Sequence, residues 1–355
     1  MAGVGLIATT GVTGGLGGRV ARRLADRGAR LRLVARDPGR APELAGAEVV
    51  TGSYDDPEGL RRAFQGAQTL FMVSATEDPD RLEQHANVVS AAADAGVERV
   101  IYTSIFGAGL ACTHTLGRDH WHTEQRIKAS GLRHTFLRDN LYIDFLPLLS
   151  GSDGVIRGAA ADGRVAAVAR DDIADVAVAV LLDEHGGHDG RTYDLTGPEA
   201  LTMAEIAEEL SRATGRTITY HAETLEEAYA SRAHYGAPDW MVEGWVTTYT
   251  AIANGEVAAV SGDVAAVAGA PTDVAGRVPA PQPRQRATPA LLAPSVRSYG
   301  STLADSSRTV ARSAPSSYAH RSSGAAIGRP TSGSCQVPTG LRYRTQGRER
   351  IGNAA

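Results

Sequence analysis

Residues 10–17 have the sequence TGVTGGLG, with glycines at positions 11, 14 and 17. A β-rich apolar run, residues 4–10, leads into this stretch, and residues 17–27 follow it with a helical pattern. Glycines at such a strand-to-helix turn let backbone N–H groups approach a phosphate without a Cβ in the way, and the helix N-terminus adds partial positive charge. The stretch therefore predicts a dinucleotide-binding turn; a structural turn without a ligand is the alternative. Its expected cofactor-binding residues are Gly11, Thr13, Gly14, Leu16 and Gly17.

Outward from this turn, short β-type runs alternate with helical patterns. Strands are expected at residues 31–35, 48–51, 69–74, 100–104 and 135–138, and helices at 59–64, 80–95 and 119–130. Strands that alternate with helices of this length indicate βαβ units on a parallel sheet. The near-continuous apolar strands fit burial on both faces of that sheet. Residues 1–150 are therefore predicted to form an α/β, Rossmann-type doubly wound core that binds NAD(P).

Residues 151–270 have a mixed pattern. Helices are expected at 171–182, 202–214, 225–235 and 241–255, with a strand at 217–220. Thr202 and Glu205 have the spacing of a capping box, and Gly215 is suited to end that helix. These elements are too few for an independent domain, so we expect a small mixed substrate-side lobe that is integral to the same domain.

Residues 271–355 differ in composition from the rest. From residue 277 onward there are twelve arginines, no lysine and only Asp305 and Glu349 as acids, among many Pro, Ser, Ala and Gly residues. Without a sustained apolar period, such a low-complexity basic tail is predicted to be disordered. A basic arm for nucleic acid is one alternative. We favour another, a changed reading frame, because these residue types dominate off-frame translation of GC-rich DNA.

The overall composition excludes several classes of protein. The formal net charge is -4, which gives the whole molecule no attraction for nucleic acid. Cys112 and Cys335 lie far apart, so they predict neither a disulfide framework nor a metal site. The first strand starts too close to Met1 for a signal peptide, and no apolar run approaches the roughly 20 residues of a membrane span. We expect a cytoplasmic protein without a membrane or metal partner.

Arg36 and Asp37 stand at the end of the second predicted strand. An acid at this point binds the ribose hydroxyls of NAD, whereas an arginine can bind the 2′-phosphate of NADP. Because Arg36 stands 25 residues after Gly11, in the region where such a residue is expected, we expect NADP(H) to be preferred over NAD(H). A solvated surface charge is the alternative for Arg36.

Polar residues follow the next three strands. Asp55 or Asp56 is placed to contact the adenine, although either could instead cap the following helix. Ligands of such sheets bind outside the carboxyl ends of the strands. The residues expected to border the nicotinamide ribose are therefore Ser74, Thr103 and Ser104.

The sequence resembles the NmrA-like, atypical short-chain dehydrogenase/reductase family. It is similar in particular to the bacterial NAD(P)H:quinone oxidoreductases and triphenylmethane reductases of that family. The resemblance covers residues 3–271 and rests on TGVTGGLG (10–17), Arg36, VIYTS (100–104), DHWHTE (119–124), SGL (130–132), LRDNLY (137–142), DDIA (171–174), YDLTGP (193–198) and residues 245–253. Ser53 departs from the aspartate common at that position, and the tail matches nothing in the family.

The resemblance also bears on the mechanism. Typical short-chain dehydrogenases use a Tyr-x-x-x-Lys pair, but the single lysine is Lys128 and Glu124 precedes it by four residues. The family pattern places His120 where that lysine would stand, as a ligand of the nicotinamide ribose or a general acid; a helix-surface histidine is the alternative. Asn140 and Tyr142 are expected to line the acceptor pocket. The residues considered for its aromatic wall, or else for the core, are Trp240, Trp245 and Tyr249.

Without a tyrosine acid, quinones and cationic dyes are more suitable acceptors than simple ketones, because solvent or a weak acid can supply their proton. The protein then positions two planar molecules while the cofactor carries the hydride chemistry. The resemblance thus implies an NAD(P)H-dependent oxidoreductase that reduces a quinone-like or dye-like aromatic acceptor, as a monomer or homodimer. A non-catalytic NADP(H) sensor of the NmrA type is the alternative.

Overall fold

The computed structural model of this 355-residue chain describes residues 5–268. The predicted basic tail, residues 271–355, lies outside the described residues. Within them, the order of strands and helices follows the alternation expected from the sequence.

The described residues contain eleven strands. They are β1 (Ile7–Thr9), β2 (Leu31–Ala35), β3 (Glu48–Thr51), β4 (Thr69–Met72), β5 (Arg99–Ile105), β6 (Arg133–Asp139), β7 (Val155–Gly158), β8 (Arg164–Val165), β9 (Thr192–Leu195), β10 (Leu201–Thr202) and β11 (Thr219–Ala222).

Ten α-helices lie in the same range. They are α1 (Gly17–Asp26), α2 (Pro57–Phe64), α3 (Arg81–Asp94), α4 (Thr115–Ala129), α5 (Leu146–Leu149), α6 (Arg170–Leu182), α7 (Met203–Thr214), α8 (Leu225–Arg232), α9 (Asp239–Ala253) and α10 (Asp263–Ala268). The helix expected at 225–235 thus ends at residue 232, and a 3-10 turn continues to Tyr235.

Seven strands form one sheet in the order β3-β2-β1-β4-β5-β6-β9. Every neighbouring pair in this sheet is parallel. The strand order reverses between β1 and β4, which is the point where a doubly wound sheet opens a crevice for a ligand. The predicted Rossmann-type fold is therefore confirmed.

Helices cover both faces of this sheet because successive residues of a strand point to opposite sides. On one face, Ile7 of β1 packs with residues of α1 and α6 in a buried cluster. On the other, the neighbouring Ala8 packs with residues of α2, α3 and α4. Burial on both faces explains why the central strands β1 and β4 are mostly apolar and fully buried.

The second half of the described chain returns to the sheet. Strand β9 pairs with β6 as the seventh strand, although the sequence pattern gave no strand there. A further apolar cluster includes residues of β7, α7 and α9 beside the sheet. The capping box of α7 is present: the Thr202 hydroxyl accepts from the N–H of Glu205 at 3.1 Å, and the Glu205 carboxylate accepts from the N–H of Thr202 at 2.8 Å. The boundary expected at residue 150 stays a prediction.

Candidate functional site

A cavity of about 260 Å³ lies at the carboxyl ends of β1, β2 and β4, where the strand order reverses. Its walls come from the glycine turn, from the ends of β2 and β3, and from the segment after β4. The lining residues are Thr10, Gly11, Val12, Thr13, Gly14, Val34, Ala35, Arg36, Gly52, Ser53, Tyr54, Asp55, Val73, Ser74, Ala75, Thr76, Asp78 and Gln84.

The glycine turn is packed so closely that side chains are excluded. Gly11 has a φ of +64°, and a Cβ placed there would lie 2.7 Å from the Cβ of Val73. A Cβ on Gly17 would overlap the carbonyl oxygen of Gly11. The N–H of Gly14 donates to the same carbonyl at 2.9 Å, which closes the turn before α1 begins. These contacts keep the turn open toward the cavity, as phosphate binding requires.

The structure brings most of the predicted cofactor-binding residues together. Six of them line the cavity: Gly11, Thr13, Gly14, Arg36, Asp55 and Ser74. The other four lie behind its wall: Leu16, Gly17, Thr103 and Ser104. Among these, Thr103 accepts the N–H of Ser74 at 2.9 Å, and so supports a lining residue.

Arg36 and Asp37 have separate roles in the structure. Arg36 is exposed at the end of β2 and lines the cavity. Within residues 5–268, no carboxylate oxygen comes within ion-pair distance of its guanidinium. The Asp37 carboxylate instead accepts from the N–H of Gly39 at 3.0 Å and caps a 3-10 turn. The positive charge at the tip of β2 is therefore available to a ligand.

Of the two acids after β3, one caps the next helix and the other lines the cavity, which are the two roles that the sequence left open. Asp56 caps α2 by accepting from the N–H of Gly59 at 2.9 Å. Asp55 lines the cavity, where its carboxylate accepts from the side-chain amide of Gln84 at 3.0 Å and from the hydroxyl of Ser53 at 3.1 Å. Ser53 thus orients Asp55.

Tyr54 is a lining residue that the sequence analysis did not identify. Its hydroxyl lies 2.7 Å from the Thr10 hydroxyl and 2.6 Å from the carbonyl oxygen of Val73. The Thr10 hydroxyl also accepts the N–H of Val73 at 3.0 Å. Burial raises the pKa of Tyr54 well above its ordinary value, so the phenol stays protonated. The signal for it was its place after β3, next to the two acids.

His120 lies inside the protein and does not line the cavity. It is 5% exposed, which rules out the helix-surface alternative. Arg81 donates to its Nε2 at 2.8 Å, so Nδ1 carries the proton and donates to the Tyr102 hydroxyl at 2.8 Å. Burial, with the charge of Arg81, lowers the pKa of His120 well below its usual range. The imidazole is therefore neutral and fully engaged.

Glu124 is fully buried four residues along the same helix. It accepts two hydrogen bonds from Arg138, at 2.9 and 2.7 Å, and one from the Ser104 hydroxyl at 2.7 Å. This bidentate pair joins α4 to the ends of β5 and β6. Ser104 is thereby committed to the pair instead of to the cavity.

Asn140 and Tyr142 follow β6 but do not line the cavity. The Asn140 amide donates to the carbonyl of Val257 at 3.0 Å and accepts the N–H of Leu141 at 2.7 Å. Tyr142 donates to the buried Asp139 carboxyl at 2.9 Å. Burial raises the pKa of Asp139 well above its usual range.

Of the three aromatic candidates, two lie in the core. Trp245 and Tyr249 are 3% and 4% exposed, whereas Trp240 is 38% exposed. The Trp245 indole donates to Glu77 at 3.3 Å, which links α9 to the segment after β4. The core alternative therefore holds for Trp245 and Tyr249.

Arg170 is another residue that the sequence analysis missed, although it directly precedes the matched residues 171–174. Its guanidinium lies over the ring of Phe145 at 4.0 Å and contacts the turn at Gly15, where a Cβ would stand 2.8 Å from Nη1. Its Nη1 lies 3.9 Å from a carboxylate oxygen of Asp144. The positive charge of Arg170 thus stands beside the glycine turn, where Arg19 also donates to the carbonyl oxygen of Gly15 at 2.6 Å.

None of the helices within residues 5–268 has both the length and the apolar character required to span a bilayer. In the same range, no three His, Cys, Asp or Glu side chains are grouped so that they could bind a metal ion.

Comparisons with known proteins agree with this geometry. Quinone oxidoreductase 2 of Escherichia coli is 35% identical over 247 residues, which cover 67% of this chain and 85% of that protein. The structure of E. coli NADPH-dependent quinone oxidoreductase with NADPH matches with a TM-score of 0.69 at 32% identity, covering 76% of this chain and 97% of the other. Triphenylmethane reductase of Citrobacter sp. with NADP(H) matches with a TM-score of 0.68 at 34% identity, with the same coverage of 76% and 97%.

A family model described as NAD(P)H-binding matches residues 11–184, which include every cavity-lining residue except Thr10. The two solved structures cover 76% of the chain. The chain therefore belongs to the NAD(P)-binding, NmrA-like family, as its sequence motifs predicted.

Proposed function

We propose that this protein is an NADPH-dependent oxidoreductase that reduces a quinone-like or dye-like aromatic acceptor by hydride transfer. The observation that carries the proposal is the cavity at the sheet's switch point, with the glycine turn on one side and the charge of Arg36 on the other. The similar proteins named above are a quinone oxidoreductase and a triphenylmethane reductase.

The residues present fit a dinucleotide. The glycine turn offers backbone N–H groups to the pyrophosphate, and Arg170 adds charge beside Gly15. Asp55, held by Gln84, is suited to accept from an adenine amino group. Ser74, supported by Thr103, belongs to the nicotinamide side, whereas Ser104 is bound to Glu124.

NADPH is the preferred form because of the tip of β2. A 2′-phosphate placed near the guanidinium of Arg36 gains charge-assisted hydrogen bonds. Asp37, which would favour the ribose hydroxyls of NADH, is occupied by the N–H of Gly39. The preference thus rests on Arg36 having no carboxylate partner within residues 5–268.

Bound NADPH supplies the hydride, and the protein supplies binding and orientation. The proton comes from solvent, because His120 would have to break one of its two hydrogen bonds to donate and is neutral. His120 is therefore proposed as a residue that supports the site and not as the acid that donates the proton. Asn140 and Tyr142 remain proposed as residues that border the acceptor.

A non-catalytic NADP(H) sensor is the second candidate. One observation favours it: the only lysine of the chain lies four residues after Glu124, so the proton-transfer pair of typical short-chain dehydrogenases has no counterpart. A sensor needs the same cavity but no acceptor, so turnover distinguishes the two functions.

The test combines binding and turnover on the full chain. We expect NADPH to raise the melting temperature more than NADH, since a ligand bound to the folded state stabilises it by mass action. Arg36→Ala should weaken NADPH binding about tenfold or more and leave NADH unchanged. NADPH oxidation is then measured with a panel of quinones and triphenylmethane dyes. Tight NADPH binding with no turnover would favour the sensor, and no binding of either nucleotide would refute both functions.

A further inference from the structure

The segment after β4 is held from behind at Ala75, through both of its backbone polar groups. Ala75 lines the cavity between Ser74 and Thr76. Its N–H donates to Nε2 of His85 at 2.9 Å, and its carbonyl oxygen accepts from Nε of Arg81 at 3.1 Å. His85 and Arg81 are 1% and 2% exposed and both belong to α3. Two buried side chains thus fix both polar groups of one peptide residue in the cavity wall.

The hydrogen bonds leave His85 with one orientation and one tautomer. Nε2 must accept from Ala75, so the proton is on Nδ1, which donates to the Thr123 hydroxyl at 2.9 Å. Thr123 in turn donates to the carbonyl oxygen of Asp119 at 2.9 Å. Burial lowers the pKa of His85, which keeps the ring neutral. The ring is therefore anchored on α4 at the side away from the cavity.

Arg81 is anchored on the same helix. Its Nη2 donates to His120 at 2.8 Å, and its Nη1 lies 3.5 Å from the Asp119 carboxylate. His120 is held in turn by Tyr102 of β5. The motif residues 119–123 thus do not reach the cavity, and they fix the two side chains that reach Ala75.

We propose that His85 and Arg81 are positioning residues that hold Ser74–Thr76 in the conformation that meets the dinucleotide, and that Thr123 and His120 lock them from α4. This inference rests on the proposed function, because it takes the cavity to be the dinucleotide site. A loop that is fixed beforehand loses less conformational entropy when a ligand binds. Without His85 the N–H of Ala75 has no partner, and an unsatisfied backbone group favours other loop conformations.

Two substitutions, His85→Gln and His85→Asn, test the two hydrogen bonds of His85 one at a time. In His85→Gln the amide oxygen can take the place of Nε2 and accept from Ala75, while the bond to Thr123 is lost. In His85→Asn the amide can take the place of Nδ1 and reach Thr123, while the bond to Ala75 is lost. Each variant removes one hydrogen bond from the same buried place, so their effects on melting temperature should be alike.

The measurement is the dissociation constant of NADPH for the full chain, with kcat and KM for a reducible acceptor. We expect His85→Asn to weaken NADPH binding about tenfold, equivalent to about 1.4 kcal/mol, and His85→Gln to stay within about threefold of wild type. Thr123→Val keeps His85 but removes its anchor, and we expect it to weaken binding about threefold.

The outcomes are distinct. Equal loss of binding in His85→Gln and His85→Asn would mean a general structural role and would overturn the inference. Unchanged binding in His85→Asn, or in Thr123→Val if His85→Asn does not fold, would overturn it as well. A wild-type chain that binds neither NADPH nor NADH would refute the proposed function itself, whereas a wild type that binds tightly beside an unaffected His85→Asn would refute only the positioning role.

Discussion

Substitution of Gly11 by alanine tests whether the tight turn after β1 shapes the cofactor site as well as the fold. Gly11 and Gly28 both have positive φ angles, +64° and +74°. A Cβ at position 11 would lie 2.7 Å from the Cβ of Val73, whereas a Cβ at position 28 would meet nothing within 4 Å. Gly28→Ala is therefore a control with the same backbone strain and no steric contact.

The expected losses of stability follow from the backbone strain and from the steric contact with Val73. Holding alanine in the left-handed region costs about 1–2 kcal/mol in either variant. At position 11, overpacking against Val73 adds about 1–3 kcal/mol. For a domain of this size each kcal/mol lowers Tm by about 2–4 °C, so Gly11→Ala should fall clearly below Gly28→Ala. Movement of Val73 also disturbs its hydrogen bonds to Thr10 and Tyr54, so we expect NADPH binding about tenfold weaker in Gly11→Ala alone.

The assay is thermal unfolding of the wild type and both variants, followed by NADPH titration of the folded proteins at a temperature below all three transitions. Equal losses of Tm in the two variants would show that the contact with Val73 has no energetic consequence. Wild-type NADPH affinity in Gly11→Ala would show that the turn does not shape the cavity, and the reasoning would then be wrong at that step.

Three further predictions concern stability. Arg138→Met leaves the buried Glu124 carboxyl without its ion-pair partner, so we expect a loss of about 3–5 kcal/mol in urea unfolding, mostly recovered in the double variant with Glu124→Gln. Lack of recovery would contradict this account of the pair. Burial lowers the pKa of His114 to about 4, so the unfolded chain, with a pKa of about 6.5, takes up the proton first as pH falls. Stability should decrease by about 2 kcal/mol from this group between pH 7 and pH 5, and His114→Gln should remove that part of the pH dependence. Thr202→Ala removes the capping box with Glu205 and should cost about 1 kcal/mol; an unchanged denaturation midpoint would refute the cap's contribution.

Local patterns in the sequence were enough for much of the site. The glycine spacing identified the turn because only a residue without a Cβ fits against Val73. The position of Arg36 at the cavity could be expected from the sequence because it depends only on where the second strand ends. The capping box of α7 was likewise visible because Thr202 and Glu205 are three residues apart and their contact is local.

Where the sequence left two roles open for a residue, only the structure decided between them. Asp55 and Asp56 are equivalent in sequence, and only the contact with Gln84 on α3 shows which of them faces the cavity. His120 was expected near the nicotinamide, but its partners are Arg81 and Tyr102, which lie on other elements. A buried histidine and an exposed one have the same local sequence pattern, because burial depends on which other elements pack against the helix.

The sequence by itself determined the class of fold, the positions of nearly all strands and helices of the core, and the glycine turn between β1 and α1. Each of these depends on interactions within about one turn or one strand, so the periodicity of a short window encodes it. Only the tertiary structure decided that β9 completes the sheet, that Arg170 stands beside Gly15, and that motif residues of α4 hold Ala75 through α3. These contacts join residues far apart in the chain, and their partners are set by how the elements pack.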